Sequence, residues 1–336
     1  MTREPTTREP MTVELVDLER IRAAAERIAG VAVRTPLLRW DDRTELKPEN
    51  LQPMGAFKMR GAYAKLTSLS PEERSVGVVT YSSGNHAQAV ARCARLLGVP
   101  AVIVMPDNAP AVKVAGVERD GARIVRCGPG SDERRRIAQE LAAEHGYAII
   151  PPFDDLEIIA GQGTCGLEIA EDRPEVTSVL VPIGGGGLIA GIAAAINATA
   201  PGARIIGVEP EDAADARESL ARGEIVSWPP ERTGRTIADG LRVSALGALP
   251  FAHIAALVDE IVTVSDDELR HAMGLLATRA RLVVEPSGAA AMAAHLSRRV
   301  ARPQGDDARV IVLSGGNVDP ALLAEVLRRP EDEPAS

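Results

Sequence analysis

The sequence predicts a two-lobed α/β protein with parallel-rich sheets flanked by helices. Three observations predict this. β-rich apolar runs alternate with alanine-rich helical stretches, and a glycine stops each of the first three of those helices. The chain is also 336 residues long, more than one hydrophobic core comfortably serves.

Residues 76–81, Val-Gly-Val-Val-Thr-Tyr, read as a strand, and residues 86–97 as a helix ending at Gly98. Residues 101–105 form a buried strand, and residues 109–120 a helix stopped by Gly121. A third strand at 122–126 and a third helix at 131–145, stopped at Gly146, complete the block. The pattern resumes with a strand at 178–183, a helix at 188–197 and a strand at 204–208. A last strand, 310–313, opens into Ser314-Gly315-Gly316-Asn317. Strand, helix, strand at this spacing makes parallel βαβ units. We assign a smaller lobe to residues 76–153 and a larger one to 16–75 plus 154–330. The chain then begins in one lobe, builds the other and returns. A cleft between such lobes, at strand C-termini, is where α/β proteins bind ligands. Residues 1–15, which repeat Thr-Arg-Glu-Pro, and residues 331–336 are expected to be disordered tails.

A net charge of −9 argues against a nucleic-acid partner. No apolar run reaches the roughly 20 residues of a membrane span, and the N-terminus lacks the apolar stretch of a signal peptide. Cys93, Cys127 and Cys165 are widely spaced and form no Cys-x-x-Cys pair. That usage fits free thiols in a reducing cytoplasm.

Four of the 38 cationic side chains are lysines: Lys47, Lys58, Lys65 and Lys113. A lysine amine can form a Schiff base once desolvated and deprotonated; an arginine cannot. Lys47 and Lys65 read as solvated surface charges. Lys58 differs, because Gly55 and Gly61 flank it in Gly-Ala-Phe-Lys-Met-Arg-Gly and a glycine-rich loop lies downstream. That loop, Gly184-Gly185-Gly186-Gly187 followed by Leu188, lies between a strand and a helix. Its backbone amides can converge on a phosphate, aided by the positive end of the helix. A tight βα turn is the structural alternative. The loop lacks the spaced dinucleotide fingerprint, and no Gly-Lys-Ser/Thr follows it, so NAD and ATP readings are weak.

Ser82-Ser83-Gly84-Asn85-His86 also joins a strand to a helix. It can grip a carboxylate or ring hydroxyl, or simply cap the helix. His86 by itself reads as a structural histidine. Ser314, after the last strand, can contact a ring nitrogen while its glycines let a flat ring approach. An amine, a phosphate cup and two polar strand-end loops are the parts needed to hold pyridoxal phosphate.

The motifs occur in the order of a known family. They are Thr35-Pro36-Leu37-Leu38, Lys47 to Gln52, Ala56 to Ala62, Ser82 to Gln88, Gly161-Gln162-Gly163-Thr164 and the tetraglycine loop. Gly207 to Pro210, Thr236 to Gly240, Val284 to Ala289 and Ser314 to Asn317 follow. On these residues the chain resembles the serine/threonine dehydratase group of fold-type-II pyridoxal-phosphate enzymes, which includes serine racemase. The resemblance spans about residues 30–320.

The resemblance implies roles. Lys58 resembles the lysine that binds the cofactor covalently and then takes the substrate Cα proton. Phe57 would pack beside the ring, Asn85 would bond its 3′-oxygen and Ser314 would face its nitrogen. Gly184, Gly185, Gly186, Gly187 and Leu188 would bind its phosphate. Ser82, Ser83 and Asn85 resemble the loop that holds the substrate carboxylate. The implied reaction converts a β-hydroxy amino acid, L-threonine or L-serine, to a 2-oxo acid and ammonia. Racemisation of serine or another amino acid, and dehydration of 3-hydroxyaspartate, are the alternatives within enzymes; a non-catalytic ligand-binding protein is a third. Ser83 matches the racemase acid/base serine, and Arg135 sits where racemases carry an arginine. Pro152-Phe153-Asp154 instead resembles the dehydratase version of its segment. Glu209, the Ala213 carbonyl and Asp215 match the positions that bind a divalent cation, Mg²⁺, Mn²⁺ or Ca²⁺, in relatives that use one. A solvated acidic loop is the alternative there, since Glu211 and Asp212 add charge. A homodimer is usual in similar enzymes.

Residues 40–47 are shorter than the family linker, which predicts a trimmed surface turn. Ala56 replaces a frequent serine. No regulatory domain is expected after the catalytic body, so isoleucine feedback is not expected either.

Overall fold

Alternation of apolar residues about the sheet planes decides the architecture of the computed structural model, which describes residues 13–109, 111–128 and 130–328. The strands are β1 (Leu38–Arg39), β2 (Thr44–Pro48), β3 (Val78–Tyr81), β4 (Ala101–Pro106) and β5 (Arg123–Cys127), followed by β6 (Ala148–Ile149), β7 (Ser178–Pro182), β8 (Arg204–Pro210), β9 (Glu260–Val264) and β10 (Arg309–Leu313). One sheet runs β1-β2-β10-β7-β8-β9 and the other β5-β4-β3-β6. Every pairing is parallel except β1 with β2.

Residues of β7 and β10 alternate between the two faces of the larger sheet. Val179, Val181, Val310 and Val312 pack with Ile189 and Ile192 of helix Gly187–Thr199. Leu180, Ile311 and Leu313 pack with the alanine-rich helix Pro286–Leu296 on the other face. A parallel sheet covered on both sides needs such continuous apolar strands. Helix Leu156–Asp172 crosses helix Gly187–Thr199 at close range, because a Cβ on Gly163 would come within 3.0 Å of the Gly191 carbonyl. This accounts for the Gly161-Gln162-Gly163-Thr164 motif as a packing device.

The first strand begins at Val78, not residue 76, because Val76 closes a short helix with a Ser70–Glu73 capping box and Gly77 (φ 117°) turns the chain. Residues 41–43 form the exposed turn between β1 and β2, where Trp40 N–H donates to the Thr44 carbonyl at 2.9 Å.

The expectation that Lys47 is solvated is corrected. Lys47 is fully buried, donating to Glu168 and the Thr35 carbonyl, both at 2.6 Å. Arg60, also fully buried, bonds Glu168 and Glu49. Lys65 is half-buried and pairs with Asp155 at 2.7 Å. Of the expected tails, residues 1–12 and 331–336 lie outside the described residues. Residues 13–15 have no regular structure, and Val16 N–H donates to His253 Nε2 at 2.8 Å. No helix among the described residues is long and apolar enough to cross a membrane.

Candidate active site

The C-terminal ends of strands from both sheets open on a cavity of about 940 Å³. Phe57, Lys58, Ser82, Ser83 and Asn85 line it, as do Gly184 to Leu188 and Ser314. Chain positions 57 and 314 meet because the Phe57 N–H donates to the Ser314 carbonyl at 3.0 Å, beside an Ala56–Gly315 bridge. This pairing sets Lys58, first residue of helix Lys58–Ser68, next to the end of β10.

Lys58 Nζ donates to the Pro152 carbonyl at 2.6 Å and lies 5.0 Å from the Phe57 ring centre. No carboxylate among the described residues pairs with it. Desolvation therefore pushes its pKa down to about 8. An amine so placed is partly neutral near pH 7, the form a nucleophile or base requires.

Helix Asn85–Leu97 is capped by Gly84 with no side-chain cap bond, so the capping alternative for this loop does not hold and Asn85 is available to the site. Asn85 Nδ2 donates to Glu285 Oε1 at 2.5 Å, and its Oδ1 accepts from Asn317 Nδ2 at 2.9 Å. One Nδ2 hydrogen is committed to Glu285, which leaves the second for another acceptor. Ser82 Oγ accepts from the Gly84 N–H at 3.3 Å. His86 is buried and also borders the cavity. Its Nε2 donates to the Ile150 carbonyl at 3.0 Å, and burial, aided by the Lys58 charge, pushes its pKa down to about 3. It is a neutral ring at any working pH.

The tetraglycine loop runs from β7 into helix Gly187–Thr199. Gly186 has φ 90°, and a Cβ on it would meet Pro250 at 2.7 Å. A Cβ on Gly185 would overlap the Phe153 ring. Side chains here would fill the cup, whereas bare amides at a helix start leave room for an anion. A neutral-prone amine, this cup and a buried hydroxyl at Ser314 fit pyridoxal phosphate, the cofactor the resemblance implies.

Glu209, Ala213 and Asp215 lie elsewhere, around the end of β8, and do not line the cavity. Glu209 is buried and accepts from Ala216 N–H at 3.0 Å and Arg217 N–H at 2.8 Å. Both Asp215 carboxylate oxygens are buried without a hydrogen-bond partner. Burial raises the pKa of both acids, and Asp215 raises that of Glu209 further. The alternative of a solvated loop is thus not what these two carboxylates form. No three His, Cys, Asp or Glu side chains converge on a metal position among the described residues. The matched set holds two carboxylates and one carbonyl. Orphaned oxygen donors fit a hard divalent cation.

Several lining residues escaped the sequence reading. Lys113, Asp239 and Glu285 border the cavity, as do Arg134 and Arg242. Asp239 and Glu285 lie inside quoted motifs, which was the available signal; Lys113 carried none beyond being one of four lysines. Arg135 also borders the cavity.

Comparison with known proteins agrees with this geometry. Residues 28–316 match the family model described as pyridoxal-phosphate dependent enzyme. The chain is 44% identical to L-threo-3-hydroxyaspartate ammonia-lyase of Saccharomyces cerevisiae, covering 93% of this chain and 96% of the relative. It is 47% identical to L-threonine ammonia-lyase of Geobacter sulfurreducens, over 84% of this chain and 69% of the relative. The fold matches maize serine racemase with a TM-score of 0.87 at 39% identity, over 93% of this chain and 97% of the other. The chain belongs to the pyridoxal-phosphate-dependent enzymes, in the fold-type-II group of threonine dehydratases and serine racemases.

Proposed function

We propose that the protein is an ammonia-lyase that deaminates L-threonine, L-serine or both to a 2-oxo acid and ammonia. The observation that carries this is the desolvated Lys58 amine, without an acid partner, in one cavity with the glycine cup and Ser314. Pyridoxal phosphate supplies an aldehyde that condenses with amino groups and a ring that acidifies the substrate Cα–H. Lys58 would hold the cofactor, and as a neutral amine it would take the substrate Cα proton. Gly184 to Gly187 and Leu188 seat the phosphate with backbone amides. Asn85 offers its free Nδ2 hydrogen to the ring oxygen. Ser82, Ser83 and Asn85 orient the substrate carboxylate. Ser314 offers the ring nitrogen a hydroxyl, not a carboxylate. A neutral hydroxyl there would leave the ring a weaker electron sink than a carboxylate partner would.

Two observations favour second readings. Arg135 lines the cavity, where its charge also lowers the Tyr81 pKa against the effect of burial, and a guanidinium suits a second substrate carboxylate. That supports 3-hydroxyaspartate, the substrate named for the yeast relative. Ser83 lines the same cavity and supports racemisation as a side activity. Incubation with L-threonine, L-serine and L-threo-3-hydroxyaspartate, scoring 2-oxo acid and D-amino acid, tests the proposal. Threonine or serine turnover to 2-oxo acid is the expected result. Turnover of hydroxyaspartate alone, or of L- to D-serine alone, would replace it.

Glu209, the Ala213 carbonyl and Asp215 are proposed to hold Mg²⁺, a reading supported by the orphaned Asp215 oxygens. Three buried free thiols support a cytoplasmic setting.

A further inference from the structure

We propose that Lys113 is a positioning residue: it crosses the cleft to Asp239 and Glu285 and thereby keeps Asn85 aimed into the cavity. The inference rests on the reading of Asn85 as a cofactor contact.

Lys113 lies on helix Ala111–Arg119, between two strands of the four-stranded sheet. Asp239 and Glu285 belong to the part of the chain that carries the six-stranded sheet. Lys113 is 2% exposed, a costly place for an ammonium without partners. Its Nζ donates to Asp239 Oδ2 at 2.5 Å and lies 3.6 Å from Glu285 Oε2. The other Glu285 oxygen accepts from Asn85 Nδ2. One cation thus joins two acids of one lobe, and one of those acids fixes an amide of the other.

The surroundings tie this relay to the site. A Cβ on Gly84 would lie 3.5 Å from Lys113 Nζ, so the amine sits beneath the Ser82–Asn85 loop. The Asp239–Leu241 turn lies against the glycine cup, since a Cβ on Gly184 would meet the Gly240 carbonyl at 3.1 Å. Gly240 N–H is itself held by Ser287 Oγ at 2.8 Å. Lys113 therefore connects the loop bearing Asn85 to the turn backing the phosphate cup. Glu285 is fully buried, and burial raises its pKa while Lys113 lowers it. Without Lys113, protonation turns one Glu285 oxygen into a hydroxyl donor and weakens its hold on Asn85.

Lys113→Met and Asp239→Asn test the proposal in the full-length protein, with and without pyridoxal phosphate. Hydrogen exchange is measured by segment, and kcat and KM are measured for L-threonine. Loss of a buried charged hydrogen bond should raise exchange in residues 82–88 and 239–241 about tenfold or more, leaving β7 and β8 protected. In the loaded enzyme kcat/KM for L-threonine should fall about tenfold or more. Wild-type exchange in both segments, or a rise spread evenly over the protein, would overturn it. If Lys113→Met fails to fold, Asp239→Asn carries the same comparison. Absence of any borohydride-reducible adduct in the wild type would refute the functional reading instead. Exchange in the cofactor-free protein would still test the bridge.

Discussion

Gly185 lies directly beneath Phe153: a Cβ at position 185 would overlap three atoms of that ring. Gly187 packs close to the same residue, since a Cβ there would come within 3.1 Å of Phe153 Cβ. Gly185→Ala would have to displace the Phe153 ring, which lines the cavity. Overpacking of this kind costs about 1–3 kcal/mol; if that cost falls on the cofactor-bound state, pyridoxal-phosphate affinity should fall about fivefold to 150-fold. Titration followed by absorbance measures it, and an unchanged affinity would contradict the packing.

Lys58 titrates near pH 8 because its amine is desolvated. The rate at which the apoprotein takes up pyridoxal phosphate should rise through about pH 8 and level off above it. Stability follows by linkage. The unfolded amine holds its proton up to about 10.5, so between the two values the unfolded chain binds more protons. Apoprotein stability should rise across that window, and Lys58→Met should remove this contribution. Urea unfolding at several pH values is the check.

Asp215 offers two buried oxygens with no partner. Adding Mg²⁺ to chelator-treated protein should raise its melting temperature, with a dependence on metal concentration set by binding. Asp215→Ala should abolish that dependence. Differential scanning fluorimetry distinguishes the outcomes, and an unresponsive wild type would count against the site.

Glu49 is fully buried and accepts from Arg60, Thr35 and Gln52. Burial raises its pKa, but the Arg60 charge and hydrogen bonds outweigh burial and leave it lowered. Its stabilisation is therefore present above the unfolded value near 4.5 and fades as pH drops through the folded one. Glu49→Gln should cost about 3–5 kcal/mol near neutral pH, because Arg60 keeps only part of its neutralising charge. Equilibrium denaturation supplies the number.

What was legible in the sequence was mostly local. The glycine cup, the Lys58 segment and the Ser314 turn each occupy a few consecutive residues, so composition and spacing expose them. The parallel blocks were legible where apolar strands such as β4, β7 and β10 are continuous runs, and in the smaller block because Gly98, Gly121 and Gly146 stop its helices. The two-residue strands β1 and β6 are too short to carry a period. Lys47 was misjudged because its partner Glu168 lies 121 residues away. Lys113 was passed over for the same reason: Asp239 is 126 residues downstream, and only the folded cleft brings the two together. Buried ion pairs of long sequence separation leave no local pattern, so a lone cation defaults to a surface reading.

The central claim is a covalent bond between Lys58 and pyridoxal phosphate. Borohydride reduction of the loaded protein, digestion and mass spectrometry test it most directly. The pyridoxyl group should be found on Lys58, in a peptide that includes Met59, and should be missing from Lys58→Ala. Its presence on Lys47, Lys65 or Lys113, or its absence from every peptide, would contradict the account.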